Sequence, residues 1–272
     1  MKKTIMTKGE RTPAQRPRKN FGQHFLHDQN IIEKIVAAIA PQPDEPFVEI
    51  GPGRGALTRP LLERVARLDV IEIDRALADE LEAAIQDPRL KVHRGDALKF
   101  DFSRIATKDH RIRLTGNLPY NISSPLLFHL LATADLFEDM HVMLQKEVVA
   151  RMAASPGTKV YGRLTVALAA RCDVEALFDI KPGSFTPVPR VDSTFVHLKP
   201  NAGRRAGIDD ETAFDTVIRQ AFNMRRKRLA NALHGLLTEP QISELGIDPN
   251  LRAEQLTVEA FIELANRYAG LN

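Results

Sequence analysis

The sequence predicts an α/β fold, in which an open, mostly parallel sheet of seven strands is followed by a small all-helical C-terminal domain. Three observations lead to this prediction. An apolar strand at 47–48 runs through a glycine-rich turn into a helix, the first half of a nucleotide-binding unit. Further apolar strands alternate with helical patterns as far as residue 198. Beyond residue 203 no alternating apolar pattern remains, so that segment is predicted to be helical.

The glycine-rich turn at 49–55 is the stretch around which the chain is organised, and its sequence is EIGPGRG. Gly51, Gly53 and Ala56 fit the dinucleotide-binding pattern G-x-G-x-x-G/A. Glycine suits such a turn because the backbone bends sharply and a ligand must approach it closely. A plain tight turn without a ligand has the same pattern, so the interpretation depends on the other strands.

Four successive strands each end in a polar or glycine-bearing turn. The second, at 70–74, contains Glu72, which lies about 20 residues past the first glycine, where an acidic residue can bind a ribose. The third, at 90–93, is followed by Asp96, and the fourth, at 111–115, by Asn117. In an open parallel sheet, ligands bind beyond the carboxyl ends of the strands. The four turns are therefore predicted to line one crevice.

The remaining elements follow from apolar periodicity and from capping residues. Three more strands are predicted at 139–144, 174–180 and 194–198. Helices are predicted at 31–40, 56–65, 76–85, from 123, at 148–152, 164–170 and 209–223, and from 229 and 257. A linker is expected at 200–203, where proline, asparagine and glycine occur together.

Composition is that of a globular protein: 43% of the 272 residues are hydrophobic and 27% are charged. No apolar run approaches the roughly 18 residues of a membrane span. The single cysteine, Cys172, excludes an internal disulfide and favours a reducing compartment such as the cytoplasm. His24 and His27 lie three apart without further ligands nearby in the sequence, so no metal site is predicted.

Charge is unevenly distributed along the chain. The first 19 residues carry seven lysines and arginines against Glu10, a net +6, which leaves about −3 for the rest of a chain whose total is +3. With two prolines and few apolar groups, this stretch is predicted to be a disordered basic arm, either solvated or in contact with phosphates. The four cations at 225–228 are predicted to bind RNA phosphates. Their alternative is a solvated face balanced by nearby acids: Asp209, Asp210, Glu211 and Asp215.

Two ligand classes compete for the crevice. A dinucleotide-dependent dehydrogenase would use the glycines and Glu72 but would leave Asp96 and residues 117–120 without a role. Pro52 also removes an N–H group that a pyrophosphate would need. A ligand with ribose and adenine but no phosphate, such as S-adenosylmethionine, fits better. Glu72 would then accept from the ribose hydroxyls and Asp96 from the adenine amine.

Residues 117–120, with the sequence NLPY, are the predicted reaction site. The exocyclic amine of a nucleobase is a poor nucleophile because its lone pair is conjugated with the ring. The side-chain oxygen of Asn117 and the carbonyl of Leu118 can hold the two amine hydrogens and direct the lone pair at a methyl group. Tyr120 offers a face for base stacking. The rate would come from positioning and from charge neutralisation at the leaving sulfonium. A purely structural turn is the alternative.

Six motifs of the chain resemble those of the bacterial ribosomal RNA adenine dimethyltransferases, in the rRNA adenine N6-methyltransferase family. They lie at 20–26, 49–53, 72–74, 95–97, 117–123 and 185–193. The resemblance covers nearly the whole chain. It implies a Rossmann-like class I S-adenosylmethionine-dependent methyltransferase domain at 20–202 and a helical domain at 203–272. It also implies that two adjacent adenines near the 3′ end of 16S rRNA are dimethylated within the small-subunit precursor, by a monomeric cytoplasmic enzyme.

The resemblance assigns site residues by position. The implied cofactor contacts are His24, Leu26, Gly51, Glu72, Asp96 and Asn117. The implied catalytic residues are Asn117, Leu118, Tyr120 and Phe185, with the target base between the last two rings. A core aromatic is the alternative for Phe185. Relatives usually have asparagine where this chain has His24, so the backbone of His24 can serve there in place of its side chain.

Two other function classes remain open at this point. The sister family of erythromycin-resistance methyltransferases modifies large-subunit RNA with the same motifs. The helical C-terminal module and the context at 185–189 favour the small-subunit enzyme. A ribosome-assembly factor would bind the same RNA without transferring methyl groups, and both roles are compatible in one protein.

Overall fold

The computed structural model describes residues 23–107 and 110–271. The predicted basic arm at 1–19 and the first three residues of the motif at 20–26 lie outside the described residues. Within the described part, no helix is long and apolar enough to cross a membrane.

The strands of the described residues form two sheets. They are β1 (Phe25–Leu26), β2 (Phe47–Ile50), β3 (Leu68–Glu72), β4 (Leu90–Arg94), β5 (Ile112–Asn117), β6 (Phe137–Gln145), β7 (Cys172–Ile180), β8 (Phe185–Thr186) and β9 (Ser193–Pro200). Seven strands make one sheet in the order β4-β3-β2-β5-β6-β9-β7, in which β9 runs antiparallel to both its neighbours. The predicted seven-stranded, mostly parallel sheet is confirmed. The short strands β1 and β8, which no periodicity predicted, pair with each other.

The helices of the described residues are α1 (Gln29–Ile39), α2 (Thr58–Leu62), α3 (Arg75–Ala84), α4 (Ser123–Ala132), α5 (Lys146–Met152), α6 (Arg163–Ala169), α7 (Ala202–Arg205), α8 (Glu211–Asn223), α9 (Leu229–Ala232), α10 (Glu239–Glu244) and α11 (Val258–Ala269). Asp28 begins α1 by accepting hydrogen bonds from the backbone of Asn30 and Ile31. Thr257 caps α11 in the same way, through the Ala260 N–H.

The central strands are buried on both faces, as parallel strands covered by helices must be. Phe47 packs with the apolar face of α1 and with α2, whereas its neighbour Val48 packs with α4 on the other side of the sheet. The apolar cluster around Val48 continues without a break into α8 and α11, where Phe214 and Phe261 are fully buried. The helical C-terminal segment is thus packed directly against the sheet layer.

The structure does not contain the linker that was expected at 200–203. Pro200 completes β9, and the side chain of Asn201 accepts a hydrogen bond from Arg204 N–H, so α7 begins at once. Because the side-chain amide oxygen of Asn201 caps the helix, the chain continues as a helix at a place where proline, asparagine and glycine suggested a loop.

Candidate active site

A crevice of about 270 Å³ lies beyond the carboxyl ends of β2, β3 and β5. Chain order reverses there, because β2 has β3 on one side and β5 on the other. Ligands of open α/β sheets bind at such a point. Eight of the nine predicted site residues line the crevice: His24, Leu26, Gly51, Glu72, Asp96, Asn117, Leu118 and Tyr120. The structure therefore brings together residues that lie as much as 96 positions apart.

The glycine turn needs its glycines. Gly51 has φ +68° and Gly53 has φ +54°, both in the left-handed region that favours glycine. The N–H of Gly51 donates to the carbonyl of Ile71 at 2.9 Å, which ties the turn to β3. A Cβ atom at Gly53 would lie 3.0 Å from the ring of Phe25. The turn is therefore held closely between β3 and the β1 segment.

Glu72 joins β3 to the glycine turn. Its side chain is 5% exposed, and its two oxygens accept backbone hydrogen bonds from Gly53 at 3.1 Å and from Asp74 at 2.9 Å. Burial raises the pKa of this carboxyl above its usual range, although the two backbone donors oppose that rise. Each oxygen retains a lone pair for a further donor, as a ribose hydroxyl would require.

Glu49 is a crevice residue to which the sequence analysis assigned no role. It is the penultimate residue of β2, is 2% exposed and accepts a 2.6 Å hydrogen bond from the hydroxyl of Thr58. Burial raises its pKa to about 7, and the neighbouring charge of Glu72 adds to the rise. The signal that could have identified it is an acidic side chain inside an otherwise apolar strand.

Asn117 and His24 lie against each other at the end of β5. The side-chain Nδ2 of Asn117 donates to the backbone carbonyl of His24 at 2.9 Å, so the amide oxygen is at the opposite side of the group. Among the described residues, no hydrogen bond ends on the carbonyl of Leu118, whose N–H donates to Met143. Two acceptors of adjacent residues are therefore available at the crevice.

The rings of His24 and Tyr120 stack, with centroids 5.4 Å apart and an angle of 28° between them. The Nδ1–H of His24 donates to the carbonyl of Pro187 at 2.7 Å. The hydroxyl of Tyr120 lies 2.8 Å from that of Ser193. These partners come from the motif at 185–193, so that motif fixes the orientation of both rings.

Asp96 caps the turn that follows β4. One of its oxygens accepts a hydrogen bond from the N–H of Leu98 at 3.0 Å, which holds the side chain at the crevice wall. Its other oxygen is the one that remains for an amine donor.

The expectation that Phe185 would contact the target base is not met. The structure does not bring it into the crevice: its side chain is fully buried, and its backbone pairs with Leu26 across β1 and β8. It packs in the same apolar cluster as Ile180 and Phe195. Burying a phenyl ring there is favourable by about 1.5–3 kcal/mol, whereas an exposed position would forgo this. The alternative of a core aromatic is therefore the one observed, and Phe185 positions Leu26.

A cluster with possible metal ligands, Asp139, His141 and His197, lies on β6 and β9. The two imidazole rings are nearly parallel, with 14° between them and centroids 4.4 Å apart. Lone pairs lie in the ring planes, so these rings do not direct both nitrogens at one ion. Asp139 is already bound by Arg113 at 2.8 and 2.9 Å. We therefore assign no metal to this cluster.

Comparisons with known proteins agree with this geometry. The family model described as "Ribosomal RNA adenine dimethylase" matches residues 14–270. The "Ribosomal RNA small subunit methyltransferase A" of Nitrosococcus oceani is 50% identical over 254 residues, which are 93% of this chain and 96% of the relative.

Two solved structures share the architecture. A dimethyladenosine transferase from Plasmodium falciparum has a TM-score of 0.77 and 28% identity, with 89% of this chain and 96% of that chain covered. The 23S rRNA methyltransferase ErmE has a TM-score of 0.62 and 24% identity, covers 90% of this chain and 99% of its own, and supports the fold alone.

Proposed function

Because this chain belongs to the ribosomal RNA adenine dimethylase family, we propose that it dimethylates the N6 amines of two adjacent adenines near the 3′ end of 16S rRNA, with S-adenosylmethionine as the methyl donor. The observation that carries the proposal is the pair of free acceptors at Asn117 and Leu118, which lie in one crevice with Glu72 and the glycine turn. A purely structural role, without a ligand, was the alternative for the turns at 49–55 and 117–120. It does not explain why these residues converge on one crevice.

The crevice fits S-adenosylmethionine better than a dinucleotide. The buried carboxylate of Glu72 lines it and would repel a pyrophosphate. Pro52 offers no N–H to a phosphate oxygen. Glu72 would hold the ribose hydroxyls, Asp96 the adenine amine, and the backbone at Gly51 the amino-acid end. When bound, S-adenosylmethionine supplies an electrophilic methyl group on a positive sulfonium.

The residues at the end of β5 would activate the target amine. The Asn117 oxygen and the Leu118 carbonyl accept its two hydrogens, which draws the nitrogen lone pair out of conjugation with the ring. The bond from Asn117 to the carbonyl of His24 fixes which end of the amide accepts. Tyr120, anchored through its hydroxyl, would stack on the base. The alkylated nitrogen is acidic and loses its proton to water, so no strong base is needed.

One experiment tests this function. Labelled S-adenosylmethionine is incubated with the protein and with undermethylated small subunits or large subunits, and the modified base is mapped. We expect label in dimethyladenine near the 3′ end of 16S rRNA. Label in 23S rRNA would point to the sister family. Binding to small subunits without any incorporation would favour an assembly factor that only binds.

Replacing Glu72 with alanine should weaken S-adenosylmethionine binding by about 1.5–3 kcal/mol, or roughly 10- to 150-fold, because a hydrogen bond to a charged group is lost. Isothermal titration calorimetry measures this effect. Glu63→Ala, which removes an exposed carboxylate after α2, is the matched control and should bind normally. Unchanged affinity in the Glu72 variant would refute its assignment.

We propose that the small-subunit precursor is bound in the cytoplasm by a monomer, with residues 20–202 doing the chemistry and the helical domain at 203–272 contacting RNA. Within the cationic run 225–228, Arg225 pairs with Glu254 and Arg228 donates to Asn250 at 2.6 Å. The other two members of the run, Arg226 and Lys227, are exposed, and their side chains make no such contact with the described residues.

Two of the four acids expected to balance that run have other partners. Glu211 and Asp215 lie 2.5 and 2.9 Å from the buried guanidinium of Arg171. Their charge is therefore committed to holding α8 against the sheet layer. This leaves Arg226 and Lys227 as the members of the run that are most available to RNA phosphates.

Changing Arg226 and Lys227 together to alanine should weaken binding to small subunits and reduce the salt slope by up to about 1.4–1.8, since each lost phosphate contact removes about 0.7–0.9. Subunit binding is measured across a salt series. S-adenosylmethionine affinity should not change. A control with Lys91 and Lys199 changed to alanine removes the same charge from the sheet. An equal loss in the control would leave the run no specific role.

A further inference from the structure

The imidazole of His24 covers one face of the Tyr120 ring in the crevice. The two ring centroids are 5.4 Å apart, and the ring planes make an angle of 28°. Phe185 is buried in the apolar core, so it does not supply the second ring that was expected beside Tyr120. His24 is the ring that the structure places there instead.

The covered face is the one on the side of the target amine. The backbone carbonyl of His24 accepts the hydrogen bond from the Asn117 amide at 2.9 Å. His24 therefore contacts both the group that we assign to the amine and the ring that we assign to the base. An adenine with its amine at Asn117 and its rings on Tyr120 has to occupy the space that the imidazole now fills.

The rings of His24 and Tyr120 are too close to admit a base between them. Stacked aromatic surfaces touch at about 3.5–4.0 Å, so a base between two rings separates them by about 7–8 Å. The observed centroid separation of 5.4 Å leaves no room for a third ring. One of the two rings must therefore move when a base enters on this side.

His24 is the ring that is free to move. The hydroxyl of Tyr120 lies 2.8 Å from that of Ser193, a fully buried residue of β9. The imidazole of His24 is instead bonded at 2.7 Å to the carbonyl of Pro187, an exposed residue after β8. Because the bond from Asn117 holds the backbone of His24, the imidazole can turn about χ1 while the carbonyl stays in place.

We propose that His24 is a placeholder for the target adenine: its imidazole covers the stacking face of Tyr120 until a base turned out of the RNA takes that face. The inference rests on the proposed function. An imidazole has the same flat shape as the five-membered ring of a purine. The exchange therefore replaces one ring-on-ring contact with another, which offsets part of the cost of unstacking the base from the RNA.

Removing the imidazole should make methyl transfer faster, because the base then takes the face without displacing a ring. His24→Ala should raise the second-order rate constant of single-turnover transfer to undermethylated small subunits about 2- to 12-fold, the factor that one stacked aromatic pair is worth. His24→Asn should give the same increase, since it lacks the ring but can still donate to Pro187. Calorimetry should show S-adenosylmethionine affinity within a few fold of the parent protein, since the backbone carbonyl remains.

A double-mutant cycle assigns the effect to the face of Tyr120. Tyr120→Leu should slow transfer about 5- to 150-fold, the usual loss when an aromatic platform under a base is removed. In that background His24→Ala should give no further increase, because no aromatic face is left to uncover. His27→Ala, which removes an exposed imidazole three residues along the chain, is the control and should transfer at the parent rate.

Several outcomes would overturn the proposal. Slower transfer in both His24→Ala and His24→Asn would make the imidazole a fixed wall of the base pocket. Unchanged rates in both would place the base on the other face of Tyr120. An increase in His24→Ala alone would attribute the effect to the bond with Pro187, and an increase that persists in Tyr120→Leu would separate it from the stacking face.

Two further results separate this inference from its premise. A loss of S-adenosylmethionine affinity of more than about tenfold in both His24 variants would make the side chain a cofactor contact, and the placeholder role would fall. If the parent protein itself transfers no methyl group to small subunits, the proposed function fails and the inference fails with it. Normal transfer by the parent protein with unchanged His24 variants overturns the inference alone.

Discussion

Asn117→Ala is expected to slow methyl transfer about 10²–10³-fold, while affinity for S-adenosylmethionine changes by no more than a few fold. The variant removes one of the two acceptors that we assign to the target amine. It also removes the bond to the carbonyl of His24, at 2.9 Å, which orients the amide. Single-turnover transfer of labelled methyl groups to undermethylated small subunits measures the rate, and calorimetry measures the affinity.

A second asparagine provides the control for this variant. Asn30 lies in the first turn of α1 with its side chain exposed, and Asn30→Ala should transfer at the normal rate. A thermal melt of each variant separates a local effect on the amine from a loss of fold. Near-normal turnover in Asn117→Ala would remove this residue from the reaction.

Arg113→Ala should lower the free energy of unfolding by about 3–5 kcal/mol, the usual result of removing one partner from a buried ion pair. Arg113 is 8% exposed and donates to both oxygens of Asp139, at 2.9 and 2.8 Å. It also donates to the carbonyl of Ile39 at 2.7 Å, at the end of α1. The variant leaves a buried carboxylate without its guanidinium and an uncapped helix end.

Urea unfolding measures this loss, with two further variants for comparison. Arg111→Ala, exposed at the start of the same chain segment, should cost little. Changing Arg113 and Asp139 together to leucine should recover part of the stability, because the buried carboxylate of Asp139 is removed with its guanidinium and only the half-buried Glu45 loses its partner. A loss below 1 kcal/mol in Arg113→Ala would show that solvent replaces the guanidinium.

Asp139 illustrates why that pair matters. Burial by itself would raise the pKa of its carboxyl, but the adjacent His141 and the guanidinium of Arg113 outweigh burial and lower the pKa to about 2. The carboxylate is therefore charged at every pH well above 2, and the positive charge of the Arg113 guanidinium stabilises it.

Apolar periodicity and strand ends were enough to predict the seven-stranded sheet and the crevice. Glu72 and Asn117 end β3 and β5, and Asp96 follows β4, and the parallel arrangement brings such positions to one edge of a sheet. The left-handed φ of Gly51 and Gly53 is likewise what a glycine turn between strand and helix implies. These features depend on local pattern, which a sequence displays directly.

Contacts between distant segments were decided only by the tertiary structure. Strands of two residues, such as β1 and β8, have no periodicity, so nothing in the sequence shows that Leu26 pairs with Phe185 and buries its ring. The same holds for Glu49, whose pKa of about 7 comes from burial and from a carboxylate 23 positions away. Desolvation and charge–charge interaction depend on distance in space, and the order of residues along the chain does not contain that distance.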